Sequence, residues 1–190
     1  MTLETRIREH VGAGDVDAAA TAAIRGYGPE IVIYLRSLLR DDTDACDAFS
    51  RFAEKLWRSL PAFRAECSLR AHCYRIAWSE AQHVREDAFR RRREPLTPLL
   101  VSKLTGEVPE SSAAKHEREA EALAELRGAL TPDERSLLAL RVDQGLSWKE
   151  VAEVLACAGK PAPTHAAVRK RFERTKGKVA ALARDRGLID

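Results

Sequence analysis

The chain has 190 residues, enough for one large or two small domains with their own hydrophobic cores. Hydrophobic residues make up 45% and charged residues 32%, which is typical of a folded protein and excludes a largely disordered one. The net charge is only +3, so overall charge does not point to nucleic acid. No apolar run is long enough to span a membrane and the N-terminus has no signal-peptide core, so we expect a cytoplasmic protein with no membrane partner.

The first predicted elements are two helices separated by glycines. Hydrophobic residues recur at helical spacing along nearly the whole chain, and no alternating strand pattern occurs. An Ala-rich helix is predicted over residues 15–25, ended by Gly26 and Gly28. Pro29 then suits the first turn of a second helix, which contains Ile31 and Leu35.

Two further helices complete the predicted N-terminal domain, residues 1–94. Asp41 is an N-cap for the first, whose inner stripe contains Phe49, Phe52 and Leu56. Pro61 ends this helix. Ser68 caps a long helix that extends to the arginine run of residues 90–93, which is either a solubilising helix end or a phosphate contact.

Residues 95–112 are predicted to be an irregular linker, because prolines and glycine interrupt every helical period there. The C-terminal domain, residues 113–190, begins with a charged helix over 113–130. Thr131 and Glu134 then form a capping box, with Pro132 at the first helical position. Helices over 136–142, 148–155 and 165–184 follow. The sequence therefore predicts an all-α fold with two small helical domains.

The last two helices have the pattern of a helix-turn-helix that binds duplex DNA. Ser147 and Glu150 form a capping box on the first. The second has an inner stripe of Val168, Phe172, Thr175, Val179 and Leu182, and an outer face rich in arginine and lysine. Lys170 and Arg174 are placed to reach base edges, and Arg169, Arg171 and Lys176 to contact phosphates. A solvated charged face is the alternative.

The loop between the third and fourth helices carries one aromatic residue. Phe63 could be a core anchor or a stacking surface for an unpaired base, and the spacing leaves both open. Cys67, His72, Cys73 and His83 lack the paired spacing of a zinc site, so buried reduced thiols are expected and no metal. No phosphate loop, nucleophile elbow or metal-binding helix occurs, so we expect no enzyme, no cofactor and no small-molecule substrate.

These motifs, in this order, resemble the extracytoplasmic-function (ECF) branch of bacterial RNA polymerase sigma factors. Residues 45–58 resemble the family's polymerase-binding helix. Residues 63–64 and 68–77 resemble its promoter-melting segment, and residues 130–135, 145–152 and 168–172 its C-terminal DNA-binding domain. The resemblance implies a non-enzymatic specificity subunit. Its expected partners are core RNA polymerase and promoter DNA, with an anti-sigma factor as an optional third.

The resemblance also implies three functional surfaces. Polymerase binding would fall to Asp47, Ser50, Arg51, Glu54, Lys55 and Trp57. Contact with the melted −10 element would fall to Phe63, Arg64, His72, Arg75, Trp78 and Ser79. Reading of the −35 element would fall to Thr164, His165, Ala167, Arg169, Lys170, Arg171, Arg174 and Lys176.

Several positions differ from the usual family pattern. His72 replaces a usual Trp, Trp78 and Ser79 replace a usual Arg-Asn pair, and Ser50 replaces a usual Gln. Two alternative functions therefore remain. One is a transcriptional regulator that uses only the helix-turn-helix, and the other is a sigma-derived interaction protein that no longer melts DNA.

Overall fold

A computed structural model describes residues 2–39, 41–91, 126, 128–156 and 163–186. The described residues form helices joined by short turns, with no β-strand among them, so the predicted all-α fold with two helical domains is confirmed. The longer helices are α1 (Leu3–Gly12), α2 (Val16–Leu39), α3 (Asp42–Ser59), α4 (Leu69–Arg91), α5 (Pro132–Leu138), α6 (Trp148–Val154) and α7 (His165–Asp185). The predicted linker and most of the predicted helix over 113–130 lie outside the described residues, so the domain bounds stay predictions.

Helix α2 corrects one prediction, because it runs unbroken through the glycines and the proline that were expected to divide it. Of the two glycines, Gly26 serves close packing, whereas a Cβ at Gly28 would make an ordinary van der Waals contact. A Cβ on Gly26 would collide with Leu3 of α1, and a Cβ on Gly28 would lie 3.5 Å from the ring of Phe49 on α3. Pro29 removes one backbone hydrogen bond from the helix. Burial of Ile31, Leu35 and other α2 residues between the neighbouring helices offsets that loss.

The predicted helix caps agree with the structure. Asp41 accepts a hydrogen bond from the backbone N–H of Asp44, and Ser68 accepts one from Ala71. Thr131 and Ser147 each form the predicted capping box with the glutamate three residues later. The predicted helix over 136–142 differs in detail, since it spans the end of α5 and a π-helical turn at Ala139–Asp143.

The N-terminal domain is a bundle of α1 to α4. Tyr34 and Tyr74 meet edge to face at its centre, with ring centroids 5.1 Å apart, and both are fully buried. The start of α4 is held by α1, because the Glu4 carboxylate accepts a 2.8 Å hydrogen bond from the backbone N–H of Leu69. That contact satisfies one of the amide groups that a helix N-terminus leaves unpaired.

The two domains pack against each other through an apolar interface. Helix α2 contacts α5, and α4 contacts α6. Buried residues of the C-terminal domain, including Leu137, Leu140, Val151 and Val154, belong to the same hydrophobic cluster as the core of the N-terminal bundle. The described part of the chain therefore has one continuous core that crosses from one domain into the other.

Candidate nucleic-acid and polymerase interfaces

Helix α7 presents the predicted basic face to solvent. Its N-cap is Thr164, whose side chain accepts from the backbone N–H of Ala167. Val168 and Thr175 are buried and hold the opposite face against the domain, as the periodicity predicted. The remaining residues predicted for −35 contact are all solvent-exposed except the half-buried Arg171: His165, Ala167, Arg169, Lys170, Arg171, Arg174 and Lys176.

The cations on this face divide into paired and unpaired groups. Arg171 binds Asp133 at 3.2 Å, and Lys176 lies 3.9 Å from Glu173. Within the described part of the chain, Arg169, Lys170 and Arg174 form no salt bridge. Unpaired exposed cations along one helix face are the groups that can exchange water and counterions for DNA phosphates and base edges.

Helix α6 is fixed on α7 by an aromatic contact. The rings of Trp148 and Phe172 meet edge to face at 5.2 Å, and the guanidinium of Arg141 lies 4.5 Å from the centre of the Trp148 ring. Arg141 also donates to the carbonyl of Leu146 at 2.7 Å, which ties down the turn before α6. Periodicity alone did not single out Arg141, because its partners lie outside its own helix.

The loop predicted to open a promoter carries a half-exposed Phe63 that packs on His72. Their ring centroids are 4.9 Å apart. A short helical turn, Leu60–Ala62, precedes Phe63, and Ala65 adopts a left-handed backbone conformation with φ of 55°. Phe63 therefore has one ring face on the protein and remains partly accessible, so it fits both the anchor and the stacking interpretation.

His72 is buried and neutral. Burial, reinforced by the neighbouring Arg75 guanidinium, lowers the pKa of His72 to about 4. An Arg75 N–H lies 2.9 Å from Nδ1, and Ser59 Oγ lies 3.1 Å from Nε2. Since arginine can only donate, Nδ1 accepts and Nε2 carries the proton that is donated to Ser59. His72 therefore orients Arg75 and supports Phe63 from behind.

Two adjoining pockets run along this side of α4. The first, about 410 Å³, is lined by Phe63, Arg64, His72 and Arg75, with Glu153 of α6 on its far side. The second, about 750 Å³, shares His72 and Arg75 with the first, and its lining also includes Trp78, Ser79 and Gln82 of α4 together with Ala156. We call the two pockets together the α4 cleft. It brings all six residues predicted for −10 contact to one surface.

Trp78 and Ser79 occupy different positions in the α4 cleft. Trp78 is only 4% exposed, and its indole N–H has no hydrogen-bond partner among the described residues. Ser79 is half-buried and receives a 3.4 Å hydrogen bond from Lys55. The wall of the cleft thus contains a buried indole N–H and, on a half-buried residue, a hydroxyl that is bonded to Lys55.

The predicted polymerase-binding face lies along α3. Its six residues are exposed: Asp47, Ser50, Arg51, Glu54, Lys55 and Trp57. Their partners are residues that sequence reasoning missed. Arg51 pairs with Asp87 at 3.1 Å, Lys55 with Glu80 at 2.7 Å, and the Trp57 indole N–H donates to Asp17 at 2.7 Å. Each partner lies at least 25 positions away in sequence, beyond the reach of any helical period.

Glu80 is the buried member of this network, with its side chain 8% exposed. Burial opposes ionisation, but hydrogen bonds from Lys55 and His83 outweigh it and hold the pKa of Glu80 below its ordinary value. The carboxylate is therefore charged at neutral pH and holds Lys55 over the edge of the α4 cleft.

The expectation of buried thiols is confirmed for Cys73 but wrong for Cys46, and Cys157 lies outside the described residues. Cys73 is buried, Cys67 is half-buried and Cys46 is exposed, and all three are free thiols. Burial raises the pKa of the Cys73 thiol strongly, so this thiol stays protonated. Among the described residues no cluster of histidine, cysteine and carboxylate groups could hold a metal ion, and none of their helices combines the length and apolarity needed to cross a membrane.

Comparison with known proteins identifies the fold. No family model and no curated protein sequence matches the chain. Among solved structures, it is similar to CnrH, described in complex with the cytosolic domain of CnrY. The TM-score is 0.66 at 19% sequence identity, over 97% of this chain and 99% of the CnrH chain. The chain therefore shares the two-domain helical fold of CnrH along almost its whole length.

Proposed function

We propose that this chain is a sigma factor of the ECF type, a non-enzymatic subunit that directs core RNA polymerase to promoters. The observation that carries the proposal is the combination of two surfaces in one fold. The α4 cleft holds a partly accessible aromatic ring beside arginines, and α7 exposes unpaired cations. The first suits unpaired bases and the second suits duplex DNA, and promoter opening needs both.

In this proposal the C-terminal domain acts as a helix-turn-helix on the −35 element, with α7 as the recognition helix. Lys170 and Arg174 read base edges, and Arg169 and Lys176 hold phosphates. The exposed α3 face binds core polymerase, since a helix with both charge signs and one exposed indole can match a complementary helix of a partner. The protein then works in the cytoplasm, where polymerase and promoter DNA are.

A protein partner is also proposed. CnrH is described in complex with the cytosolic domain of CnrY, and the two folds match over nearly all of both chains. We propose that the present chain likewise binds an anti-sigma domain. The shared fold supports the extension, and the partner's identity would come from co-purification.

Run-off transcription tests the proposal. Purified chain and core polymerase are incubated with a promoter library from the source genome, and the products are sequenced. We expect discrete start sites that require the chain and disappear with the Arg169→Ala/Lys170→Ala/Arg174→Ala variant. Co-elution of the same variant with core polymerase is the control, because α3 is untouched. The absence of chain-dependent start sites, with polymerase bound, overturns the sigma-factor proposal.

One observation favours a second candidate function for this chain. Two of the residues predicted to contact the melted strand, His72 and Trp78, are buried. A sigma-derived interaction protein that binds polymerase without opening DNA would need no accessible groups there. Co-elution with core polymerase combined with a lack of unpaired promoter thymines would establish that function instead.

A further inference from the structure

Trp57 is the group on the α3 face that gains most if a partner buries it. It is the one large hydrophobic side chain of α3 that is exposed, with an exposed fraction of 46%. On the same face Arg51, Glu54 and Lys55 each already form a salt bridge within the chain. A charge that is already paired gains little from a second partner, whereas burial of an indole ring removes a large apolar area from water. Trp57 is therefore the expected anchor of a protein contact made by this face.

One hydrogen bond ties the Trp57 ring to the first turn of α2. The indole Nε1–H donates to Asp17 Oδ1 at 2.7 Å. Asp17 is the second residue of α2 and Trp57 lies in the last turn of α3, so the bond joins two helices at residues 40 positions apart. A hydrogen bond to a carboxylate is shorter and stronger than one between neutral groups. The bond therefore restrains the rotation of an exposed aromatic ring that would otherwise sample several rotamers.

A partner that buries Trp57 gains from this restraint in two ways. Association is more favourable when a side chain is already ordered, because the loss of rotamer freedom has occurred on folding and not on binding. The indole N–H also has its acceptor within the chain, so burial of the ring leaves no donor unsatisfied. The pocket that receives the ring then needs apolar atoms around it and no acceptor of its own.

We propose that Asp17 is a positioning residue for polymerase binding, which holds the Trp57 ring in the orientation that an apolar pocket of core polymerase accepts. The inference rests on the proposed function, since it concerns the same α3 face. It extends that face to the first turn of α2, which lies outside the residues that resemble the polymerase-binding helix. The ring of Trp57 makes the contact, and Asp17 acts through it.

A purely structural role for Asp17 has to be separated from this one. An acidic residue in the first turn also stabilises a helix by its interaction with the helix dipole. Asp15 carries the same charge two positions earlier, but its carboxylate accepts from the backbone N–H of Ala18. Asp15→Ala is therefore the matched control, because it removes a charge at the same end of α2 and leaves the bond to Trp57 in place.

Four further variants isolate the bond itself. Asp17→Ala removes the acceptor. Asp17→Asn removes the charge but keeps a side-chain oxygen that can accept from the indole. Trp57→Phe keeps an aromatic ring and removes the N–H, and Asp17→Ala/Trp57→Phe completes a double-mutant cycle.

Affinity of the full chain for purified core polymerase is measured for every variant. For Asp17→Ala we expect a loss on the order of threefold to tenfold, the effect of ordering one large side chain on binding. Asp17→Asn should lie closer to the wild type than to Asp17→Ala. Asp15→Ala should lower the melting temperature through loss of its hydrogen bond to the α2 backbone, with unchanged affinity. In the Trp57→Phe background, Asp17→Ala should cause no further loss.

The indole N–H gives a spectroscopic readout of the same bond. Its resonance in ¹⁵N-labelled chain is assigned by its absence from Trp57→Phe. Exchange of this proton with water should be slow in the wild type, Asp17→Asn and Asp15→Ala, and faster in Asp17→Ala. Exchange as fast in the wild type as in Asp17→Ala would show that the bond does not restrain the ring.

Two binding results would also overturn the inference. One is that Asp17→Ala binds core polymerase as tightly as Asp15→Ala does. The other is that Asp17→Ala weakens binding by the same factor with Trp57 and with phenylalanine at position 57, since Asp17 would then not act through the indole. A wild-type chain that does not bind core polymerase overturns the proposed function and this inference together. Wild-type binding with either of the two results overturns the inference alone, so the two failures are distinguishable.

Discussion

Lys55 on α3 donates a hydrogen bond to Ser79 on α4, with 3.4 Å between Nζ and Oγ. The first residue belongs to the predicted polymerase-binding face and the second to the α4 cleft. The same ammonium group pairs with Glu80 at 2.7 Å. A partner that draws Lys55 away would release the Ser79 hydroxyl, so contact at one surface can change the groups offered by the other.

The Lys55–Glu80 pair should contribute to stability. Lys55→Met leaves a nearly buried carboxylate with only His83 beside it, and we expect the free energy of unfolding to fall by about 1–3 kcal/mol near neutral pH. Because the folded pKa of Glu80 is lowered, the stabilisation is present above the ordinary glutamate pKa and is lost as pH falls through the lowered one. Urea unfolding at several pH values measures both effects.

The double variant Lys55→Met/Glu80→Gln is the control for that experiment. It removes the charge that Lys55→Met leaves unpaired, so it should recover most of the lost stability. If Lys55→Met is as stable as the wild type at neutral pH, the pair is only a solvated surface contact.

Because His72 is buried in its neutral form, the free energy of unfolding should decrease in mild acid. Its pKa is about 4 in the folded chain and 6.5 ordinarily, so between these values the unfolded chain binds more protons. The free energy of unfolding therefore decreases as pH falls from about 6.5 to about 4, by a total of about 3 kcal/mol. His72→Gln should flatten this part of the profile. A wild-type profile with the same slope as that of His72→Gln would contradict the buried neutral histidine.

Alanine substitutions of the α7 cations should fall into two groups that differ in their effect on DNA binding. Lys170→Ala and Arg174→Ala should each weaken binding to a selected −35 site by about 1–3 kcal/mol and relax base preference. Arg169→Ala and Lys176→Ala should weaken binding to all sequences alike and reduce its salt dependence. Fluorescence anisotropy at several salt concentrations, with specific and random duplexes, measures the difference.

Arg171→Ala is a comparison variant, since Arg171 is also a predicted phosphate contact but pairs with Asp133, so we expect its loss to weaken DNA binding less than Arg169→Ala does. Identical behaviour of the four DNA-contact variants would show that the division into base-reading and phosphate-holding residues is wrong.

Strand opening should occur with altered base preference. Phe63 supplies a ring, and Ser79 supplies a hydroxyl, which discriminates base edges less well than an amide side chain does. Permanganate reactivity of promoter thymines should be reduced in Phe63→Ala and should become more sequence-selective in Ser79→Asn. An unreactive promoter with the wild-type chain and polymerase would favour the interaction protein.

Local features of the fold could be predicted from the sequence because they depend on residues within four positions of each other. The capping boxes at Thr131 and Ser147 and the inner face of α7 are of this kind. The break predicted near Gly26 was wrong, because the glycine serves a contact with Leu3 that no local pattern records.

The features of the candidate site likewise divide into those that the local sequence predicts and those that depend on how the helices pack. The exposed faces of α3 and α7 are consistent with helical spacing, whereas the functional roles of the α3 residues were implied only by the resemblance. The burial of His72 and Trp78, the Lys55–Glu80 pair and the approach of Glu153 all depend on how helices pack. The Tyr34–Ser136 bond joins residues 102 positions apart, so spacing within either helix carries no information about it.

The hydrogen bond from the Leu69 backbone to Glu4 gives the first few residues an unexpected importance for anyone who expresses this protein. They lie outside the motifs on which the resemblance rests and would be natural candidates for trimming or for replacement by a purification tag. Yet Glu4 holds the first turn of α4, next to Ser68 and Arg70. A shortened version could fold, pass quality control and still show a frayed α4 and misleading DNA-binding data.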